Sequence, residues 1–253
     1  MITMAHSGKN VLIIGGTHGI GLATAQLLIQ DGATVILTGR NTTPAQELLG
    51  STAHTLQLDL QNLSEITSLP SKIQSHLGSP DAKIDLLFLN AGYASLDPLA
   101  TLTEASFDRT FNTNVKGTFF AAQALAPLVR DGGAIVFTTS IANRVGIPGM
   151  GAYAASKAAV HSLVQTFAAE LAGRGVRVNA VSPGYVKTPT MGVEGTSKEV
   201  LEAFEEHGRE TTPLGRVGEA EEVARTVRFL GFEGTFATGV EVVVDGGLAF
   251  LKK

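Results

Sequence analysis

Apolar residues fall into short unbroken runs that alternate with longer stretches of helical periodicity. The runs NVLIIG (10–15), ATVILTG (33–39), HTLQLDL (54–60), KIDLLFLNAG (83–92), GAIVFTTS (133–140), GVRVNAVSPG (175–184) and GVEVVVDGG (239–247) read as seven strands. Mostly continuous runs of this kind suit strands buried on both faces. The periodic segments between them predict helices: GLATAQLLIQDG closing at Gly32, then 63–77, 104–129, 152–172, a short one near 197–207, and 219–231. A glycine just past a helix end supports the first boundary. The alternation predicts an α/β fold: a Rossmann-type doubly wound parallel sheet of about seven strands with helices on both faces. No repeat, low-complexity tract or linker divides residues 1–253, so a single domain is expected. Residues 184–218 form the longest irregular stretch, and 186–212 within it are expected to act as a lid over a bound substrate.

Composition narrows the function classes. The net charge is −4 and no block of basic residues occurs, which argues against a nucleic-acid or membrane-surface partner. The absence of cysteine removes disulfides, zinc–thiolate sites and thiol catalysis. None of the six histidines has metal-ligand spacing, so no metal is expected. The first residues lack a signal-peptide pattern and no apolar run is long enough to span a bilayer, so a cytoplasmic location is expected.

Chemistry first shows in IIGGTHGIG (13–21), which places Gly15, Gly19 and Gly21 at a strand-to-helix turn. Glycines there permit a tight turn and let a pyrophosphate approach the free amides at a helix N-terminus. The surrounding residues Thr17, His18 and Ile20 are expected to share that contact. A cofactor with a free ribose 2′-hydroxyl would call for an acid near the end of the second strand. That strand ends LTGRN: Gly39 stands where the acid is expected, followed by Arg40 and Asn41. A guanidinium can clamp a 2′-phosphate, which points to NADP(H).

A second signal lies in GAYAASKAAV (151–160). Tyr153 and Lys157 are four residues apart, one helical turn, so phenol and ammonium share a face. An ammonium beside a phenol is expected to lower the phenol pKa and make it a general acid.

Together these residues resemble the short-chain dehydrogenase/reductase family over nearly the whole chain. Its motifs occur in order: the glycine turn; Asp59 in LDL; Asn90, Ala91 and Gly92 in LNAG; Asn114 in NVKG; Ser140 after the fifth strand; Tyr153 and Lys157; and Pro183, Gly184 and Thr188 in SPGYVKTP. Two positions depart from the usual pattern: Ile14 stands where threonine is frequent and Leu89 where a second asparagine is frequent.

The resemblance implies roles for matching positions. Asp59, with Leu60, would hold the adenine edge, Asn90 would brace the central strand, and Ala91 and Gly92 would lie on the adenosine side. The loop carrying Pro183, Gly184, Val186 and Thr188 would hold the nicotinamide carboxamide. Tyr153 would give a proton to a carbonyl, Ser140 would steady its oxygen, Lys157 would bond the nicotinamide ribose, and Asn114 would hold a water linking Lys157 to solvent. Tyr93, Ile141, Ala142, Met150, Tyr185 and the stretch 190–207, Met191 among it, are expected to form a mainly apolar substrate pocket. Arg144 reads as a solvated loop residue and Asp245 as the shaper of a terminal turn.

The expected activity is NADP(H)-dependent hydride transfer between nicotinamide and a carbonyl or secondary alcohol, above all reduction of a neutral ketone with an apolar flank. A 3-oxoacyl carrier-protein reductase would want a basic patch, for which Arg130, Arg144 and Lys187 are few. A non-catalytic scaffold would not need Asn114, Ser140, Tyr153 and Lys157 together. The family also suggests a homotetramer joined through the helices at 104–129 and 152–172 and through the C-terminal strand region.

Overall fold

The computed structural model describes residues 5–191, 193 and 197–251. Seven strands form one parallel sheet: β1 (Asn10–Ile14), β2 (Thr34–Gly39), β3 (Ala53–Gln57), β4 (Ile84–Leu89), β5 (Val129–Thr138), β6 (Arg177–Pro183), and, at the far edge, β9 (Glu241–Val244), in the order β3-β2-β1-β4-β5-β6-β9. β7 (Val186–Lys187) and β8 (Gly218–Glu219) make a separate two-residue parallel pair. The order reverses between β1 and β4, and at such a switch point the two crossovers leave in opposite directions and open a crevice.

Strand residues alternate between two apolar cores. Leu12 and Ile14 of β1 join Ile135 and Phe137 of β5 beneath α3 (Leu63–His76), α5 (Thr118–Leu125) and α6 (Gly151–Leu171). Val11 and Ile13 face the opposite way, toward α1 (Gly19–Gln30) and α8 (Ala220–Arg228). Both faces are therefore covered, which explains the lack of polar alternation in the strands. Burying a single side chain such as Leu12 contributes roughly 1.5–3 kcal/mol.

The helix expected over 104–129 runs unbroken from Glu104 but is not α-helical throughout, and it ends where β5 begins at Val129. α4 (Glu104–Phe111) passes into a π-helical turn at Asn112–Gly117 before α5 begins. A wide turn re-aims the side chains within it. Here it points Asn114 inward, and it presses Gly117 so close to Leu60 that a Cβ would lie 2.4 Å from the Leu60 carbonyl oxygen. A further helix, α2 (Thr43–Leu49), was not expected; it is too short for a clear apolar period and carries Pro44 in its first turn. The β3 strand stops at Gln57, short of Leu60, and β9 spans four residues because Asp245 turns the chain, accepting from the amides of Gly247 and Ala249. The irregular stretch 184–218 contains α7 (Lys198–Thr211), whose Ser197 hydroxyl caps its N-terminus. The expected lid thus holds a 14-residue helix, while positions 192 and 194–196 fall outside the described residues. No helix among the described residues is long and apolar enough to cross a membrane.

Candidate active site

The C-terminal ends of β1, β2, β4, β5 and β6 open into one cleft of about 220 Å³. Its floor is the glycine turn. Gly15 and Gly19 take positive φ angles of 83° and 54°, a region that costs other residues strain. At Gly15 a Cβ would lie 2.6 Å from the Ala91 backbone, and at Gly21 it would lie 2.1 Å from the Gly15 carbonyl oxygen. The turn is therefore packed against the start of the β4 loop with no room for side chains. Asn90 ties three strands together: Nδ2 donates to the Gly15 carbonyl at 2.7 Å, and Oδ1 accepts from the Thr138 hydroxyl at 3.0 Å. The amides of Asn90 and Ala91 both donate to the Ile14 carbonyl.

The cleft is lined by Gly15, Thr17, His18, Gly19, Ile20, Arg40, Asp59, Leu60, Asn90, Ala91, Gly92 and Tyr93 on one side, and by Ser140, Tyr153, Lys157, Pro183, Gly184, Val186, Thr188 and Met191 on the other. A smaller cavity of about 60 Å³ adjoins it, sharing Ser140, Tyr153, Gly184 and Met191 and adding Ala94, Ile141, Ile147, Met150, Tyr185 and Phe204. Of the expected site residues, Gly21, Asn41, Asn114 and Ala142 line neither cavity. Gly21 backs the glycine turn, Asn41 Oδ1 accepts from the Thr43 amide at the start of α2, and the Ala142 amide donates to Ser140 Oγ at 3.2 Å. Tyr93 lines the large cleft rather than the small cavity.

The sequence did not single out several lining residues. Arg109 stacks its guanidinium 4.0 Å above the Tyr93 ring and lines the cleft from α4. It sits on a charged amphipathic helix, where an arginine carries no local signal. Phe204 reaches the small cavity from α7 and packs edge-on against Tyr185, with ring centres 4.9 Å apart. Unlike Arg109, Phe204 lies within the stretch 190–207 that was expected in the substrate pocket.

Tyr153, Lys157 and Ser140 converge on one wall. α6 buries Ser156, Lys157 and Val160 against the sheet, which places the Tyr153 and Lys157 side chains at the end of β5. The Lys157 ammonium donates to the Thr138 carbonyl at 2.8 Å, and the absence of a side chain at Gly92 lets it lie there: a Cβ at that position would sit 3.2 Å from Nζ. Burial holds Lys157 down at about 8. The Tyr153 phenol corrects an expectation. Burial raises its pKa, and a hydrogen bond with Ser140 only partly opposes this. Lys157 Nζ lies 5.7 Å from the Tyr153 ring centre. With the phenol buried and its nearest cation directed at a backbone carbonyl, desolvation of the phenolate prevails.

Asn114 also departs from expectation. Its Oδ1 accepts from the Tyr93 amide at 2.7 Å, while Nδ2 donates to the Tyr93 carbonyl at 2.8 Å and to Ser156 Oγ at 2.9 Å. Both amide N–H groups are consumed, so the side chain pins the β4 loop to α6 instead of facing the cleft. Arg144, read as solvated, is bonded to Glu241 through Nε and a terminal nitrogen.

The arrangement suits a nicotinamide dinucleotide. A glycine turn that excludes Cβ atoms opens onto a helix N-terminus, and a phenol, a hydroxyl and an ammonium lie at the other end of the same cleft. The sequence matches the family described as enoyl-(acyl carrier protein) reductase over residues 15–249. The chain belongs to the short-chain dehydrogenase/reductase family. It is 36% identical to the 3-oxoacyl-[acyl-carrier-protein] reductase FabG of Thermotoga maritima, covering 97% of this chain and 99% of that one. It is equally 36% identical to a cyclopentanol dehydrogenase of a Comamonas species, with 94% and 96% covered. Among solved structures, a short chain dehydrogenase/reductase family protein superposes with a TM-score of 0.85 at 37% identity, covering 98% of this chain and all of that chain. A levodione reductase superposes with a TM-score of 0.86 at 29% identity, with 96% and 98% covered.

Proposed function

We propose that the protein is an NADP(H)-dependent oxidoreductase that interconverts a compact, uncharged ketone and its secondary alcohol. The carrying observation is that Ser140 and Tyr153 stand where the large cleft meets a small cavity walled by Ala94, Ile141, Ile147, Met150, Met191 and Phe204. No charged side chain lines that cavity among the described residues. A carbonyl seated there would direct its oxygen at two hydroxyls and its flanks at apolar surface.

The nicotinamide, when bound, supplies or accepts the hydride. Tyr153 holds the proton: burial keeps the phenol protonated at neutral pH, the form needed to give a proton to a carbonyl oxygen. Ser140 donates to the same oxygen as negative charge develops. Lys157 would bond the nicotinamide ribose. Its charge would favour the phenolate left behind. Asp59 would hold the adenosine end, and Arg40 a 2′-phosphate. The loop from Pro183 to Thr188, continuing into the lid over 186–212, would cover the nicotinamide.

A second reading, reduction of a 3-oxoacyl carrier protein, draws support from the Thermotoga relative. Against it, the three cations that could receive an acidic carrier each engage a carboxylate within the chain, with Asp85 shared by Lys9 and Glu205 by Arg209. Arg130 pairs with Asp85, Arg144 with Glu241, and Lys187 with Glu205. NADPH and NADH oxidation should be followed with cyclic ketones, aryl ketones and a 3-oxoacyl thioester. Fast turnover of a cyclic or aryl ketone supports the first reading, preference for the thioester the second, and cofactor binding without any turnover a scaffold. The exposed Leu99, Phe107, Phe236 and Phe250 offer apolar surface for the homotetramer, which light scattering would test.

A further inference from the structure

Glu241 is a buried carboxylate that the proposed chemistry leaves unused. It lies at the start of β9, on the edge of the sheet, with 1% of its side chain exposed. Both oxygens are occupied. Oε1 accepts from the Thr139 hydroxyl and from Asn143 Nδ2, at 2.5 and 2.9 Å, and Oε2 accepts from Arg144 Nε at 2.7 Å and from its terminal nitrogen. His161 Nδ1 lies 3.2 Å from Oε1. Burial opposes the charge, but the donors from Thr139, Arg144 and Asn143 outweigh it and hold the carboxyl below its ordinary pKa.

These partners are not scattered. Thr139 immediately precedes Ser140, and Asn143 and Arg144 close the turn that follows it. His161 lies one helical turn beyond Lys157 and two beyond Tyr153 on α6, so all three share a face. The turn's own bonds run from Ala142 N to Ser140 Oγ, from Asn143 N to the Ser140 carbonyl, and from Arg144 N to the Ile141 carbonyl. They set its internal shape but not its place against α6. The Thr139 amide ties the start of the turn to the Val181 carbonyl of β6, and the carboxylate contacts both ends of the turn and lies beside His161 of the helix. A buried ionic cluster contributes little net stability, since desolvation offsets the attraction. Its use in some proteins is to fix one geometry among several.

We propose that Glu241 is a positioning residue for the reaction: by gathering Thr139, Asn143 and Arg144 onto one carboxylate, it holds the Ser140 hydroxyl against Tyr153 and the incoming carbonyl. The proposal rests on the reading of Ser140 as the group that steadies the carbonyl oxygen.

The test is a double-mutant cycle on the full-length protein. Glu241→Gln, Ser140→Ala and the double variant are assayed with saturating NADPH and the ketone turned over fastest in the panel above. NADPH Kd is measured separately by fluorescence titration. Glu241→Gln should lower kcat about 10- to 100-fold, the scale of a small misplacement of a reacting group, with NADPH Kd within about twofold. In the Ser140→Ala background the same change should cost less than about twofold, because the group it positions is gone. An equal loss in both backgrounds, or an unchanged kcat in Glu241→Gln, overturns the proposal. A Kd that weakens as much as kcat falls overturns it too, by assigning Glu241 a general structural role. If Ser140→Ala itself keeps full kcat, the functional reading fails and this proposal with it. Asn143→Ala removes one donor from a half-buried side chain and carries the same cycle if Glu241→Gln does not fold.

Discussion

The Lys157 ammonium is bonded to the carbonyl of Thr138 at 2.8 Å, one residue before the turn that carries Ser140, and not to the Tyr153 phenol one turn earlier on its own helix. The cation is thereby anchored to the end of β5 and presented to the cleft from below. Its folded pKa, about 8, lies below the ordinary lysine value of 10.5.

That depression has a signed consequence. Between about 8 and 10.5 the unfolded chain binds a proton at Lys157 that the folded chain does not. Stability from this group therefore rises with pH across that window, and is lost as pH falls through the folded pKa. The full cost below the window is on the order of 3 kcal/mol. Lys157→Met removes that pH dependence, although it also leaves the Thr138 carbonyl without its donor, at about 1–3 kcal/mol. The stability of wild type relative to Lys157→Met should therefore increase from pH 7 to pH 10, whatever its sign at pH 7. Urea unfolding of both proteins at the two pH values measures it, and a constant difference would show that folding does not depress the Lys157 pKa. In kinetics, kcat/KM for ketone reduction should fall above about pH 8 as the free enzyme loses the ammonium.

Tyr153→Phe keeps the ring and removes the proton. It should lower kcat for ketone reduction by about 10²–10⁴-fold while leaving NADPH Kd within about threefold. Stopped-flow turnover and fluorescence titration give the two numbers. A variant with near-wild-type kcat would move the proton donor elsewhere.

Asn114 makes three buried bonds, two of them to the backbone of Tyr93. Asn114→Ala leaves the Tyr93 amide and carbonyl without those partners. Stability should drop by about 2–4 kcal/mol, with a matching fall in the urea midpoint. A loss below about 1 kcal/mol would show that water or a relaxed π-helical turn replaces the side chain.

What was legible in the sequence follows from where the interactions lie. The strands could be read because a sheet covered on both faces writes itself as unbroken apolar runs, as in Val11–Ile14 of β1. The cofactor side of the cleft could be read because its turn depends on residues close together in sequence, Gly15 to Gly21. The π-helical turn between α4 and α5 could not, since Asn114 within it bonds the backbone of Tyr93, 21 residues away. Arg144 looked solvated because its partner, Glu241, is 97 residues further along the chain. The phenol of Tyr153 looked acidified because helical spacing reports that Lys157 is near, but not that both groups are buried or where the ammonium points.

Cofactor choice turns on Gly39 and Arg40, and the structure changes how it must be tested. A Cβ on Gly39 would lie 2.5 Å from the Thr17 hydroxyl oxygen and 2.6 Å from its methyl carbon. Thr17 is buried, so it has little room to move. The glycine is therefore required by packing as well as suited to a 2′-phosphate. Exchanging it for aspartate together with Arg40→Ile would displace Thr17 from the glycine turn and weaken both cofactors, which obscures the comparison. Arg40→Ala is the cleaner change, because Arg40 is exposed at the strand end and lines the cleft. Losing a charge-assisted bond to phosphate costs about 1.5–3 kcal/mol, so kcat/KM for NADPH should fall about 10- to 10²-fold. The value for NADH, which lacks the phosphate, should stay within about threefold. Gly39→Ala adds only the Cβ and should weaken both cofactors alike, separating packing from charge. If Arg40→Ala lowers both cofactors equally, the arginine serves the adenosine rather than the phosphate. If the unaltered enzyme already prefers NADH, the end of β2 does not select NADP(H).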